Sequence, residues 1–141
     1  MKPKLFSLSV VATALVFGTA VPSSAQLSGP RKVVLLMSEY AYKPSVVLKV
    51  RKGETVMFTF VNRGKVLHEA LIGTTAVQAA HEKEMKSMGD MAMPDSKDRV
   101  SVKPGATKML KYTFAAPGTF AVACHQPNHY KLGMKVSVEV S

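Results

Sequence analysis

The sequence predicts an all-β domain folded as a two-layer sandwich, and three observations support this prediction. Apolar and polar residues alternate in several short segments, as expected for strands that bury one face. Turns containing Gly or Pro separate these segments, as at Lys52-Gly53, Lys103-Pro104-Gly105 and Pro117-Gly118. The chain has 141 residues, of which 47 % are hydrophobic and 20 % charged. That length allows one domain with a core, and the composition excludes a disordered or collagen-like chain.

The individual strands follow from the residues that share a face. Val33–Met37 is a continuous apolar run and predicts a buried strand. Each later strand is predicted from alternation, which gives it one set of core-facing residues. In chain order these sets are Val46, Leu48 and Val50; Val56, Phe58 and Phe60; Leu110, Tyr112 and Phe114; Phe120, Val122 and Cys124; and Met134, Val136, Val138 and Val140.

A region without alternation predicts a short helical, Met-rich insert around residues 75–93. Thr75 and Gln78 have the spacing of a capping box, in which the two side chains bond each other's backbone N–H groups. The residues that follow favour helix, and Gly89 is expected to end it.

Residues 1–25 have the pattern of an export signal. Two lysines near the N terminus precede the apolar run Leu5–Val21, and small residues lead up to Ala25. An uncleaved anchor is the alternative, although a run of about 17 residues is at the lower limit for a membrane span. We predict cleavage after Ala25. The product would be a periplasmic domain of residues 26–141 without a transmembrane span, which we expect to be a monomer.

The charge of the chain suggests the kind of partner. Its formal net charge is +10, and its basic residues are distributed along the whole sequence. The sequence shows no basic stripe interleaved with aromatic residues, so we do not expect nucleic-acid binding. A positively charged exported domain is expected to associate with an acidic partner, and anionic lipid headgroups are the alternative.

The residue pattern from Cys124 to Met134 indicates a metal site. Alternation places the thiol of Cys124 and the thioether of Met134 on the core faces of consecutive strands, and His129 lies midway in the loop between them. Thiolate and thioether are soft ligands that select copper. Two histidines, one cysteine and a weak axial methionine form the type 1 copper pattern. Each residue alone could be structural, but the combination favours copper.

A type 1 site needs one more histidine, and three candidates remain. His68 follows a hydrophobic strand and is surrounded in sequence by apolar residues, which favours a rigid ligand. His81 lies on the predicted helix, so it is the weaker candidate. His125 is adjacent to Cys124 and points to the opposite face by alternation, which places it outside the ligand set.

These residues resemble the cupredoxin family over most of residues 33–140. The resemblance implies a Greek-key β-sandwich with copper bound by His68, Cys124, His129 and Met134. The Cys-x4-His-x4-Met loop is similar to the rusticyanin pattern, and Asn128 stands where related loops often have Gly. The matching segments are Tyr42-Lys43-Pro44, Lys52-Gly53-Glu54-Thr55-Val56, Asn62-x-Gly64, His68-Glu69, Pro117-Gly118 and Cys124–Met134.

A narrower resemblance concerns function. The loop, the His68-Glu69 pair and the Met-rich insert resemble periplasmic copper-tolerance cupredoxins and the cupredoxin partners of respiratory oxidases. We expect a carrier of single electrons by Cu(II)/Cu(I) cycling, to or from an acidic cytochrome or oxidase. The alternative is a copper-tolerance protein that sequesters or oxidises Cu(I). The single cysteine cannot form a Cys-x-x-Cys redox motif. The sequence also shows no nucleophile–base pair and no phosphate-binding loop, so we expect that the protein is not an enzyme.

The insert contains four methionines within nine residues, and their role has two interpretations. At helical spacing His81, Met85 and Met88 share one face, which is typical of packing against the sandwich. The alternative is a weaker accessory Cu(I) site of thioethers, formed by Met85 and Met88 with His81, Met91 or Met93 as additional candidates.

Overall fold

The computed structural model describes residues 29–89 and 91–141, which form nine strands and one helix. The predicted export signal, residues 1–25, lies outside the described residues. In chain order the elements are β1 (Arg31–Ser38), β2 (Ala41–Pro44), β3 (Lys49–Val50), β4 (Thr55–Asn62), β5 (His68–Thr74), α1 (Thr75–Met88), β6 (Arg99–Val102), β7 (Thr107–Thr113), β8 (Gly118–Ala123) and β9 (Lys135–Val140).

The strands form two packed sheets, which confirms the predicted sandwich. One sheet has the order β2-β1-β4-β7 and the other the order β3-β9-β8-β5-β6. The pairs β1–β4 and β3–β9 are parallel, and the remaining pairs are antiparallel. The connections from β4 to β5, from β6 to β7 and from β7 to β8 cross between the sheets, as in Greek-key sandwiches. The inward faces of both sheets supply the core, in which Phe58, Phe60 and Phe114 are fully or almost fully buried.

Two details of the strand prediction are wrong. In β1 only Val33, Leu35 and Met37 are buried, whereas Val34 and Leu36 are each 38 % exposed. The reason is that β1 belongs to a sheet whose outer face meets solvent. Val46 is 46 % exposed and lies before β3, so it does not share the core face.

Helix α1 packs on the outer side of the five-stranded sheet, against β5 and β8. A Cβ at Gly73 would collide with the side chain of Val77, so glycine lets the helix approach the strand closely. Gly89, at φ 66°, ends the helix, and its N–H donates to the Met85 carbonyl at 3.2 Å. The helix therefore occupies residues 75–88 of the predicted insert. Among the described residues no helix is long and apolar enough to cross a membrane.

The predicted capping box is wrong. The N-cap residue is Thr74, and no side chain caps the helix. Gln78 is instead buried beneath the helix, where its Nε2 donates to the carbonyls of Leu71, Gly73 and Ala121 at 3.0 to 3.4 Å. Backbone carbonyls of the adjacent strands β5 and β8 accept from this amide, so Gln78 anchors the helix to the sandwich.

Candidate metal centre

Three buried side chains meet at one end of the sandwich. The donor atoms of His68, Cys124 and His129 all lie within 4.8 Å of one another. The Cys124 Sγ is 3.3 Å from the His129 Nδ1 and 4.0 Å from the His68 Nδ1. The structure therefore brings together three of the four residues that the sequence predicts as ligands in a single group of donor atoms.

The cluster is assembled from the ends of strands. His68 is the first residue of β5. Cys124 comes directly after β8 and continues the alternation of that strand, so its side chain faces the core. The turn that carries His129 is closed by backbone bonds, because the N–H of Met134 donates to the His129 carbonyl at 2.9 Å. Asn128 has φ 68°, a left-handed conformation that Asn tolerates better than most residues. This conformation agrees with the expectation that Asn128 stands where related loops often have Gly.

Met134 lies beside this group. Its side chain is fully buried and belongs to the same hydrophobic cluster as Cys124. Its carbonyl accepts the Cys124 N–H at 3.1 Å, which ties the two ends of the ligand loop together. The Met134 side chain is thus buried in the core cluster that contains Cys124, and its role as a copper ligand stays a prediction.

The electrostatics of the pocket favour neutral groups in the metal-free protein. Burial, together with the neighbouring His129, lowers the pKa of His68 to about 4. Burial likewise lowers the pKa of His129. Burial raises the pKa of the Cys124 thiol to about 12, although the backbone N–H groups of Glu69 and Gln126 oppose the shift. At neutral pH the two imidazoles therefore carry free lone pairs, and the thiol keeps its proton.

The separations of the donor atoms fit a single metal ion. Bonds of about 2.0 Å to nitrogen and 2.3 Å to sulfur, as zinc makes, place the two atoms about 3.7 Å apart at an angle of about 120°. The observed distances of 3.3 and 4.0 Å lie on either side of that value. Two imidazoles, one thiol and a nearby thioether form a donor set that suits copper.

The other two histidines lie outside the cluster and bond polar side chains. The Nε2 of His81 is 2.9 Å from both carboxylate oxygens of Glu69, and its Nδ1 is 3.1 Å from Glu84. His125 lies on the opposite face from Cys124, as alternation predicts. Its Nδ1 is 2.6 Å from Glu82, and its Nε2 is 2.6 Å from the Oε1 of Gln78.

Glu69 is a residue that sequence reasoning did not identify as part of the site. It is fully buried, and its N–H donates to the Cys124 Sγ at 3.3 Å. Burial raises the pKa of its carboxyl, while His81 and Arg99 oppose that shift, since Arg99 Nε lies 3.7 Å from the carboxylate. The available signal was a charged residue within the apolar segment that follows His68.

Gly64 contributes through the absence of a side chain. A Cβ at this position would lie 2.8 Å from the His68 Nε2 and 2.7 Å from a carboxylate oxygen of Glu39. The turn before β5 therefore approaches the imidazole so closely that only glycine fits without displacing it. The Asn62-x-Gly64 motif keeps the turn in place, because the Asn62 Oδ1 accepts the Gly64 N–H at 2.8 Å.

The four methionines of the insert have different environments. Met85 is buried beneath α1, Met88 and Met93 are half-buried, and Met91 is 56 % exposed. The Met91 carbonyl accepts the Gln126 amide at 3.4 Å, so the segment after the helix lies against the ligand loop. Packing accounts for Met85, and both ring nitrogens of His81 are already bonded. An accessory Cu(I) site at the insert stays a prediction, which now depends mainly on Met88, Met91 and Met93.

Comparison with known proteins identifies relatives and structural neighbours. The copper-resistant cuproprotein CopI of Rubrivivax gelatinosus is 38 % identical over 110 residues, which cover 78 % of this chain and 66 %, just under two thirds, of that protein. CopI of Pseudomonas aeruginosa is 28 % identical, and the alignment covers 93 % of each chain. The reduced auracyanin of Roseiflexus castenholzii is similar in structure, with a TM-score of 0.67, 26 % identity, and coverage of 80 % of this chain and 99 % of that one.

The family assignment rests on a longer match. Residues 34–141 match the family described as copper binding proteins, plastocyanin/azurin family. This segment contains β2 to β9 and the whole cluster of His68, Cys124 and His129. The chain therefore belongs to the plastocyanin/azurin family of copper-binding proteins, the cupredoxins.

Proposed function

We propose that this cupredoxin is an exported copper-tolerance protein that binds and sequesters copper, or oxidises Cu(I) to Cu(II) by passing one electron to an external redox acceptor. The observation that carries the proposal is the buried cluster of His68, Cys124 and His129 in a chain whose relatives are named copper-resistant cuproproteins. Those names favour copper tolerance, the alternative in the sequence analysis, over the electron carrier that we expected first. Copper tolerance requires no organic substrate, so we propose a metal-binding protein and not an enzyme.

In this proposal copper is held by His68, Cys124, His129 and Met134. The two Nδ1 atoms supply neutral nitrogen ligands, and Cys124 supplies a thiolate after losing its proton. The buried thioether of Met134 completes the set as a weak ligand. Bound copper supplies the Cu(II)/Cu(I) couple, which changes by one electron. The Glu69 N–H at 3.3 Å from Sγ stabilises negative charge on the sulfur.

Electron carriage is a second candidate, supported by the surface around His129. The imidazole is only 7 % exposed, but the ring of Tyr40, 48 % exposed, lies edge-on at 5.1 Å from it. Leu132 is also exposed on the ligand loop. A redox partner, for which an acidic cytochrome or oxidase is proposed, would approach the copper most closely here.

A survival assay distinguishes the two candidates. The gene is expressed in a copper-sensitive bacterium that lacks its own periplasmic copper defence, and growth is measured against added copper. We expect the wild type to restore growth and Cys124→Ser to fail, with His125→Ala as a matched control because this histidine lies outside the cluster. Wild-type protein that is exported and copper-loaded but gives no protection contradicts the proposal. Rapid oxidation of the reduced protein by respiratory membranes would then support electron carriage.

A further inference from the structure

A cationic cleft opens at the end of the sandwich opposite the metal centre. It has a volume of about 850 Å³, and five of its lining residues are basic whereas one is acidic. These residues come from β1, β3, the turn before β4, the start of β4 and β7, so the fold gathers charges that are far apart in sequence. The charged lining residues are Arg31, Lys49, Arg51, Lys52, Lys111 and Glu54.

The positive charge of the cleft is only partly neutralised. Glu54 uses its Oε1 to pair with the Arg31 Nε at 2.7 Å, and its Oε2 accepts the backbone N–H of Arg51 at 2.8 Å. Arg31 is fixed further by donating to the Lys49 carbonyl at 2.8 Å. Within residues 29–89 and 91–141 the side chains of Arg51, Lys52 and Lys111 make no ion pair, and all three are exposed. They are available to an external anion.

The cleft and the metal centre lie a full strand length apart. β1 begins at Arg31 in the cleft and ends at Ser38, close to Tyr40, whose ring contacts His129. Eight residues of strand span about 26 Å. A ligand in the cleft therefore cannot touch the copper ligands, and this site is separate from the function proposed above.

Charge complementarity indicates what the cleft faces. Its three exposed cations, Arg51, Lys52 and Lys111, have no acidic partner among residues 29–89 and 91–141. Anionic phospholipids give a membrane surface a negative potential, which attracts clustered lysines and arginines.

We propose that this cleft binds the phosphate headgroups of anionic phospholipids. The domain then rests on the membrane with Arg51, Lys52 and Lys111 against the headgroups, and the copper centre faces away from the bilayer. The ligand class is a phosphate monoanion on a lipid surface, whose charge is opposite to that of the exposed cations.

Vesicle co-sedimentation tests the proposal with the purified protein as the cell processes it. Vesicles of phosphatidylcholine alone are compared with vesicles that also contain phosphatidylglycerol. We expect binding only to the anionic vesicles, weakened by salt, and a decrease in affinity of roughly tenfold or more in Arg51→Gln/Lys52→Gln/Lys111→Gln. The matched control, Lys65→Gln/Lys83→Gln/Lys103→Gln, removes the same charge from exposed sites elsewhere and should bind nearly as well as the wild type.

Three outcomes would overturn the proposal. The first is no binding of the wild type to anionic vesicles. The second is an equal loss in both triple variants, which would mean that net charge alone drives binding. The third is tight binding of inorganic phosphate that displaces the protein from vesicles, which would assign the cleft to free anions. The visible spectrum of the copper-loaded variants reports whether each has folded.

Discussion

The four histidines of this chain form two pairs with opposite surroundings. His68 and His129 each direct an Nδ1 at the Cys124 Sγ, at 4.0 and 3.3 Å. His81 and His125 bond acidic or amide side chains with both ring nitrogens. Both pairs are buried, so burial does not separate a ligand from a structural histidine. The partner atoms do, because both ring nitrogens of His81 and of His125 are engaged by side-chain oxygens, which leaves neither ring a nitrogen for a metal.

The two pairs also differ in what they connect. The pair around Cys124 joins β5 to the ligand loop at the end of the sandwich. The pair formed by His81 and His125 joins α1 to the backbone beside two predicted ligands. His81 lies on α1 and bonds Glu69, the residue after His68. His125, the residue after Cys124, bonds Gln78 of α1. The second pair therefore supports the backbone from which the first pair projects. Replacing a member of one pair should have effects that the other pair does not show.

The largest effect is expected for Cys124→Ser. A hydroxyl is a poor soft ligand, so the intense visible absorption of a thiolate–Cu(II) bond should disappear, and copper affinity should fall. The measurement is an optical spectrum during Cu(II) titration, with far-ultraviolet circular dichroism to show that the sandwich is intact. Intense visible absorption in the folded variant would contradict the type 1 assignment.

Substitution of the histidines tests the division into pairs. His68→Ala and His129→Ala should lose the visible band or become open to added imidazole, because each removes a nitrogen from the cluster. His125→Ala should keep the band but lower the free energy of unfolding by about 1–3 kcal/mol, because it removes the hydrogen-bond partner of the Gln78 Oε1 and of the Glu82 carboxylate. Imidazole titration and urea unfolding measure the two effects. Loss of the band in His125→Ala alone would reverse the division.

Proton release on copper binding should follow from the pKa values of the pocket. The pKa of the thiol is about 12 and that of His68 about 4, and burial also lowers the pKa of His129. Above the pKa of both histidines and below that of the thiol, binding must therefore release about one proton per copper. Affinity should rise about tenfold per pH unit in this window. Calorimetry in buffers of different ionisation enthalpy counts the protons, and a value near zero would contradict a thiolate ligand.

The smallest effect is expected at the insert. Met85, Met88, Met91 and Met93 are changed together to Leu, which retains bulk and apolarity. Anaerobic Cu(I) titration should show one tight copper in both proteins and a weaker second site only in the wild type. Met109→Leu, at a methionine 68 % exposed on the opposite sheet, is the control. Equal stoichiometry and affinity in all three proteins would leave packing as the role of the insert.

The local pattern of the sequence was sufficient for most of the candidate site. Alternation placed Cys124 and Met134 toward the core and His125 away from it, and the structure has all three as predicted. The prediction for β1 failed because it depended on a continuous apolar run, which could not reveal that one face of the sheet meets solvent. The prediction of a capping box failed because the Gln78 amide donates instead to three backbone carbonyls of the neighbouring strands.

The alternation of apolar residues, the turns and the Cys–His–Met loop determined the fold class and the metal-ligand cluster at one end of the sandwich. Each of these patterns depends on residues that are close in sequence or that lie on one face of a strand. Only the tertiary structure decided which histidines bond carboxylates, that Glu69 lies buried against Cys124, and that five distributed cations share one cleft. Those outcomes depend on pairs such as Glu69 with His81 and Arg31 with Glu54. Such contacts form only after the sheets have packed and α1 has covered β5 and β8.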